Sequence, residues 1–361
     1  MKEKKTHVGV TMADVARLAN VHISTVSRAL KHDPRITKTV QEKVREAADS
    51  LGYRPNPLIS ALSTLRHQHA QLTTPTVLAY VQHQRDYITD HFNGVTKVAD
   101  LNGYKVEIFT INQDMSEKRL NQILINRNIR GLILAPLPEA HGSFNLDWEH
   151  FASVSLEYSF TEPLLDRVVP DSFHSVIRAM EQCVAMGHTR IGLVLTRRVH
   201  EKNEGLLTAA YTYFVSLHPE LAHIPTLLTR RTDNEEPIDA WIKKEKPQVI
   251  ISSNHLLPSI EARLANMDIE TPENVGLVNL NANVNDPRMS KYSGISINAE
   301  FMGNQAVVHL IHKLNNNLFG VPPARITIQT DNEWVDGHTL IAASQMELPA
   351  AFRKRKRTTG A

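Results

Sequence analysis

The sequence predicts two architectures in one chain: a small all-α helix-turn-helix head with a further short helix, joined to a two-lobed α/β core with parallel sheets. Three observations predict it. Residues 11–30, TMADVARLANVHISTVSRAL, read as two short helices around a tight turn. From Thr76 onward, short apolar runs alternate with amphipathic helical stretches, the pattern of parallel strands covered by helices on both faces. The chain has 361 residues, 42% of them hydrophobic, more than one ordinary domain needs and enough to bury large cores.

In the head, Thr11 followed by Asp14 is a capping pattern, so a helix starts at Met12, with Val15, Ala16 and Leu18 or Ala19 facing inward. Asn20 tolerates the left-handed backbone of a helix-ending turn, and Val21 returns to the core. A second helix over residues 23–31 turns Val26, Ala29 and Leu30 inward and leaves Ile23, Ser24, Ser27 and Arg28 outside. Helix-turn-helix geometry puts the N-terminal residues of the second helix against base edges in a major groove. Ile23 and Ser24 are therefore candidates for base contact and Arg28 for a guanine edge or a phosphate; Thr25 and Ser27 are candidates for phosphates, and Thr11 joins the DNA-contacting set. A plain helical hairpin with a solvated polar face is the alternative reading of these twenty residues. Residues 36–52 read as a third helix, capped by Thr37, with Val40, Val44, Ala47 or Ala48 and Leu51 on one face and Gly52 closing it. Next, Asn56 and Pro57 make a good helix start, and Leu58, Leu62 and Leu65 repeat at helical spacing. At about ten residues this helix is too short to stand alone in water.

The run D-V-A-x-x-A-x-V-x-x-x-T-V-S-R-A-L, from Asp14 to Leu30, followed by L-G-Y-x-P-N, from Leu51 to Asn56, resembles the DNA-binding head of the lactose repressor (LacI/GalR) family. The resemblance implies that the segment after Asn56 is a hinge helix that orders on DNA. It also implies that Asn56 belongs to the DNA-contacting set and that Leu62 wedges into the minor groove, a chemistry open to any inserted apolar side chain. Leu62 as a mere dimer contact is the other reading. The sequence departs from the family at Ile59, where a small residue is usual, and at His22, where a serine usually caps the second helix.

The net charge of +2 conceals a segregation. Residues 1–66 hold twelve Lys or Arg against six Asp or Glu, and Arg353-Lys354-Arg355-Lys356-Arg357 adds five positive charges, which leaves −9 on the residues between. A basic head on an acidic body suits an anionic polymer held at one end. The single cysteine, Cys183, excludes a disulfide framework and a cysteine metal cluster and reads as core packing. No apolar run reaches membrane-span length and the first ten residues carry no secretion-type apolar region, so the expected compartment is the cytoplasm, with no membrane partner. G-x-S-x-G, H-E-x-x-H, G-x-x-x-x-G-K-[ST] and G-x-G-x-x-G are absent, and pairs such as His67 and His69, or His309 and His312, lack a third ligand at metal spacing. The expectation is a binding protein without catalytic residues, metal or cofactor.

After the polar link 67–75, the strand-like runs are VLAYV, KVEIFTI, GLILAP, ASVSLE, RVVP, RIGLVLT, VIISS and VGLVNL, with helices ending near Asn102, around 119–126, and over 176–186, 206–217 and 258–267. The segments Gly187-His188-Thr189-Arg190-Ile191 and Thr271-Pro272-Glu273-Asn274-Val275-Gly276, with Asn254, resemble the family's periplasmic-binding-protein-like core. That resemblance implies three crossings between lobes, near residues 187, 297 and 328. The expected division is a head at 1–54, a hinge helix at 55–66, the link at 67–75 and a core at 76–345, followed by a basic, disordered tail at 346–361. Lobe 1 takes about 76–187 and 298–327, lobe 2 about 188–297 and 328–345.

Ligands of open α/β sheets bind at the carboxyl ends of strands. Residues just past the apolar runs are thus the effector candidates: Gln82, His83, Tyr87, Pro136, Asp171, His174, Arg197, His200, Asn254, His255 and Asn281. Asp171 keeps a family position, whereas His200 and Asn281 stand where the family commonly has an arginine and an aspartate. Amide and imidazole groups hydrogen-bond a polyol, so a sugar is the first expected effector. For each of these residues a loop-capping role is the alternative. The combined expectation is a homodimeric, sequence-specific regulator, a repressor, on a near-palindromic double-stranded operator, allosterically controlled by a carbohydrate. A sugar-binding sensor without specific DNA binding and a purine-type co-repressor-dependent regulator remain open, whereas an architectural DNA protein would not need a two-lobed core of this size.

Overall fold

The computed structural model describes residues 12–30, 33, 35–51, 53, 76–83, 90–230, 235–282 and 286–352. Thr11, Asn56, Leu62, Tyr87, the hinge and link segments and the Arg353–Arg357 run lie outside them, as does the side chain of Ser27. The chain divides into two units, Met1–Thr76 with His312–Leu318, and Val77–Ile311 with Phe319–Ala361.

The head packs α1 (Met12–Ala19), α2 (Ile23–Leu30) and α3 (Lys38–Ser50) around Val15, Ala16, Ala19, Val26, Ala29, Val44, Ala47 and Ala48. Of the two inward candidates at the end of α1, Ala19 is buried and Leu18 is exposed. The turn works as its residues dictate. Asn20 takes φ 51°, its N–H donates to Arg17 O, and the Val21 N–H reaches back to Ala16 O, so two orphan carbonyls are satisfied as α1 stops. Thr37 does precede α3, but its side chain makes no capping bond. The turn before α3 is organised instead by Asp33, whose carbonyl accepts from Ile36 N and Gln41 Nε2 and whose carboxylate meets Arg35 at 2.6 Å. The hydrogen bond from Arg35 outweighs burial and holds the Asp33 carboxyl down at about 2. The stabilisation from this ionised group is therefore fully present above the ordinary carboxylate value and is lost as pH falls through about 2. Acid titration of the head followed by circular dichroism should show this loss, and Asp33→Asn should remove that part of the pH dependence.

The core begins with β1 (Thr76–Gln82), α4 (Asp90–Leu101), β2 (Tyr104–Thr110), α5 (Glu117–Asn126), β3 (Gly131–Leu134), β4 (Gly142–Ser143), β5 (Ala152–Leu156), β6 (Phe160–Glu162) and β7 (Asp166–Pro170). It continues with α6 (Ser172–Ala185), β8 (Ile191–Thr196), α7 (Arg197–Lys202), α8 (Leu206–Leu217), β9 (Leu227–Thr229), α9 (Glu235–Glu245), β10 (Val249–Ser252), α10 (Leu257–Asn266) and β11 (Gly276–Asn279). It closes with β12 (Ser293–Ser296), α11 (Ala299–Asn315), β13 (Thr327–Thr330) and β14 (Glu333–Val335). The strands form two six-stranded sheets, β13-β7-β5-β3-β1-β2 in lobe 1 and β14-β12-β11-β10-β8-β9 in lobe 2, with β4 and β6 as a small separate pair. Pairing is parallel from β1 through β3, β5 and β7 to β13, and from β9 through β8, β10 and β11 to β12. β14 is the exception, an antiparallel edge on β12. Parallel strands covered on both faces are apolar throughout, and β3, β5, β8, β10 and β11 are buried along their whole length.

Two lobe boundaries differ from expectation. Val176, Ala179, Met180 and Cys183 of α6 pack with Ile191, Leu193, Phe214 and Val278, all on lobe 2 elements or next to them. The first crossing is therefore at Asp171, between β7 and α6, and not near 187. β13 pairs with β7 in lobe 1, so the third crossing follows Thr330 rather than residue 328. Residues 346–352, expected in a disordered tail, dock on lobe 2: Phe352 is buried among α9 and α10 side chains, and its carbonyl accepts from Lys246 Nζ at 2.7 Å. Cys183 is fully buried core, which pushes its thiol up to about 12.

In lobe 1, α4 and α11 meet backbone to backbone. A Cβ on Gly94 would overlap the Glu300 carbonyl, and one on Gly303 would overlap the carbonyl of His91. The reciprocal glycines bring the N-terminal turn of α4, and with it His91, against α11.

Candidate DNA-reading face and interlobe cleft

On the head, the small apolar core orients α2 so that Ile23, Ser24 and Arg28 are exposed while Val26 and Ala29 beneath them are buried; Thr25 is half-buried. The residue that starts α2 is His22. Its carbonyl accepts from Thr25 N and Val26 N, and its Nδ1 accepts from Ser24 N at 3.3 Å. An imidazole thus performs the capping that a serine hydroxyl performs elsewhere. Among the described candidates, the helix-turn-helix reading puts three side chains on one solvent-facing surface of one helix.

In the core, residues past the carboxyl ends of the two sheets face each other. Arg198 Nη1 of α7 lies 3.7 Å from Glu139 Oε1, in the loop after β3. Arg167 of β7 grips Glu204, after α7, through two nitrogens at 2.7 and 3.4 Å. Deeper in, Glu157 follows β5 with φ 61°, a left-handed backbone unusual for glutamate. Its Oε1 is 3.6 Å from Nε2 of the buried His91 at the start of α4. Burial pushes the His91 imidazole below its ordinary value and Lys202 of α7 adds to that, while Glu157 and Asp90 oppose it. His255, after β10, is lowered first by desolvation and then by Arg198 and Lys202, again with Glu157 opposing. The side chain is solvent-accessible, so its desolvation is partial. Glu157 and His91 of lobe 1 thus share one electrostatic neighbourhood with Lys202, Arg198 and His255 of lobe 2. Two neutral imidazoles, each with one donor and one acceptor nitrogen, beside a carboxylate and an ammonium suit a polar ligand rich in hydroxyls. At three strand ends, Gln82 Oε1, Ser253 Oγ and Asn279 Nδ2 are buried without a hydrogen-bond partner among the described residues. Such groups carry an unmet cost of roughly 1–3 kcal/mol each until something polar meets them.

The sequence candidates distribute unevenly. His255 joins the cluster. His83 is exposed and Asn254 half-buried at strand ends, and Arg197 is the exposed first residue of α7. Asp171 is the N-cap of α6, with Oδ1 accepting from His174 N at 2.9 Å and Oδ2 2.7 Å from His174 Nδ1, so His174 engages both carboxylate oxygens. His200 Nδ1 is 3.0 Å from Thr208 Oγ1 and braces α7 on α8. The Asn281 N–H donates to Asn279 Oδ1. His91, Glu157, Arg198 and Lys202 were not among the candidates. Glu157 was legible as the one charged residue closing the run ASVSLE, just past the end of β5; His91 was not, because it starts a helix rather than ending a strand.

The profile of the family described as "Bacterial regulatory proteins, lacI family" matches residues 11–56, and that of "Periplasmic binding protein-like domain" matches residues 180–340. The HTH-type transcriptional regulator DegA of Bacillus subtilis is 25% identical over 279 residues, 74% of this chain and 80% of DegA. Among solved structures, the transcriptional regulator CelR–cellobiose complex matches with TM-score 0.57 and 15% identity over 91% of this chain and 99% of that one. The lac repressor dimer bound to operator and the anti-inducer ONPF matches with TM-score 0.55 and 16% identity over 92% and 99%. At these identities the structural likenesses speak for the fold. Their head and core occur here in the same order, and the chain belongs to the lactose repressor family of bacterial transcription regulators.

Proposed function

We propose that the protein is a cytoplasmic repressor that binds a near-palindromic operator as a homodimer and is released or recruited by a hydroxyl-rich small molecule, a sugar, held between the lobes. The observation that carries the DNA half is the α2 surface of Ile23, Ser24 and Arg28, small enough to enter a major groove and ending in an arginine. A twofold dimer presents two such helices to two half-sites. The named cleft residues support a binding role rather than catalysis: they hold charges of both signs around neutral imidazoles. No helix among the described residues is long and apolar enough to cross a membrane.

Selection of bound duplexes from a random pool tests this reading, with the intact chain compared against one lacking residues 1–66. Enrichment of a near-palindrome by the intact chain alone is the expected result; equal enrichment by both would remove the head from DNA recognition. On the selected operator, Arg28→Ala should weaken binding roughly 5- to 150-fold, the span of one good base contact. Unchanged affinity at fixed salt would take Arg28 out of the interface.

For the cleft, Glu157→Gln should leave operator affinity unchanged without effector and raise the effector concentration for half-response about tenfold, the loss of one charge-assisted hydrogen bond. Fluorescence anisotropy of labelled operator during a sugar titration measures both quantities. A normal effector response in the variant would exclude Glu157 from the site. Effector binding couples to operator binding because the ligand bridges lobes whose relative position sets the paired heads, and the coupling is reciprocal.

A further inference from the structure

The first turn of α2 contains a hydrogen-bond arrangement that decides what Ser24 offers to DNA. A serine hydroxyl is ambivalent, one rotating donor with two acceptor lone pairs, and in a major groove it pairs with either class of base edge. Ser24 is not free in this way. Its Oγ lies 2.9 Å from His22 Nδ1, and its own backbone N–H points at the same nitrogen from 3.3 Å. The backbone N–H has only one role, to donate. His22 Nδ1 is therefore the acceptor, which places the ring hydrogen on Nε2. With Nδ1 as acceptor, the 2.9 Å contact to Oγ is made with the Ser24 hydroxyl donating, in a three-centre arrangement that shares the one Nδ1 lone pair with the longer 3.3 Å backbone N–H contact. With its only hydrogen engaged inside the protein, the exposed oxygen has lone pairs alone to present outward.

We infer that His22 is a specificity-determining positioning residue that makes Ser24 an acceptor-only reader, so that in each half-site Ser24 meets an exocyclic amino group, N6 of adenine or N4 of cytosine, and not the N7, O6 or O4 acceptors. The inference rests on the DNA-binding reading above. A serine at position 22 would still cap α2. It would not hold the Ser24 hydroxyl in one sense, because a second hydroxyl rotates as freely as the first.

Every base pair shows both an amino group and acceptors in the major groove, so base preference alone does not decide the matter; deletion of single groups does. On the operator selected by the intact chain, the position whose preference disappears in Ser24→Ala locates the contact. Replacing adenine there by purine, or cytosine by 2-pyrimidinone, removes the amino group. This should weaken wild-type binding about fivefold, as loss of one hydrogen bond does, and leave Ser24→Ala unaffected. A 7-deazapurine at the same pair should cost wild type and Ser24→Ala equally. In His22→Ser the penalty for amino deletion should fall to within about twofold, with helix content by circular dichroism unchanged.

A Ser24-dependent penalty on N7 deletion overturns the inference while leaving the regulator reading intact. So does a full amino penalty in a folded His22→Ser protein, and so does a Ser24→Ala chain with unaltered preferences at every position. If His22→Ser unfolds the head, the comparison of wild type with Ser24→Ala still decides the sense of the Ser24 bond. An intact chain that enriches no duplex overturns the regulator reading and this inference with it.

Discussion

Val26→Asp abolishes operator binding and leaves the core's melting transition in place. Val26 is fully buried on the inner face of α2, in a cluster of eight buried residues that holds the whole head together. The described residues of that cluster are all apolar, so a carboxylate there meets no cation among them, and an uncompensated buried charge costs about 3–5 kcal/mol. At roughly 0.05–0.15 kcal/mol per residue, a head of this size holds only a few kcal/mol of stability in total. The substitution removes all or most of it. The core is a separate unit with its own hydrophobic clusters, so calorimetry should show its transition at the wild-type temperature. Retained operator affinity in Val26→Asp would mean that α2 is not seated on the α1–α3 core.

Gly303→Val destabilises the core and lowers its melting temperature by roughly 6–12 °C, for a cost of about 3 kcal/mol in a domain of this size. The reason is backbone, not side-chain, crowding: the new Cβ would overlap the carbonyl of His91, and a rigid helix carbonyl cannot swing aside as a long side chain does. Gly94→Val acts from the opposite helix, through the Glu300 carbonyl. Because the two glycines share one contact, the double variant should cost less than the sum of the singles. Gly303→Val should also weaken the effector response beyond its effect on stability, since displacing the start of α4 moves His91 away from Glu157. A wild-type melting temperature would show that α4 and α11 stand further apart.

Local rules were legible where a single element carries them. Asn20 announced the left-handed stop of α1, Val15, Val26 and Val44 the inner faces of the head helices, and runs such as GLILAP and RIGLVLT the buried parallel strands. α9 and α11 went unread. In α9 the buried residues among those described are Ile238, Trp241 and Ile242, within a segment dominated by charge. In α11 the buried side includes Gly303, a residue that looks like a helix breaker until the partner helix is known. The division of lobes failed at α6 for a related reason. An amphipathic helix reveals that it has an inner face, not which sheet that face covers.

The sequence alone determined the order of elements, the two-part plan, the outward residues of α2 and the family, because helical and strand periodicities, caps and short motifs are properties of neighbouring residues. The tertiary structure alone decided what the cleft contains. Asp171 became a helix cap engaged with His174, and His200 a brace on α8, while His91, Glu157, Lys202 and His255, far apart along the chain, entered one electrostatic neighbourhood. Whether a polar side chain caps its own loop or faces a ligand depends on what the opposite lobe brings to it, and no local pattern encodes that partner.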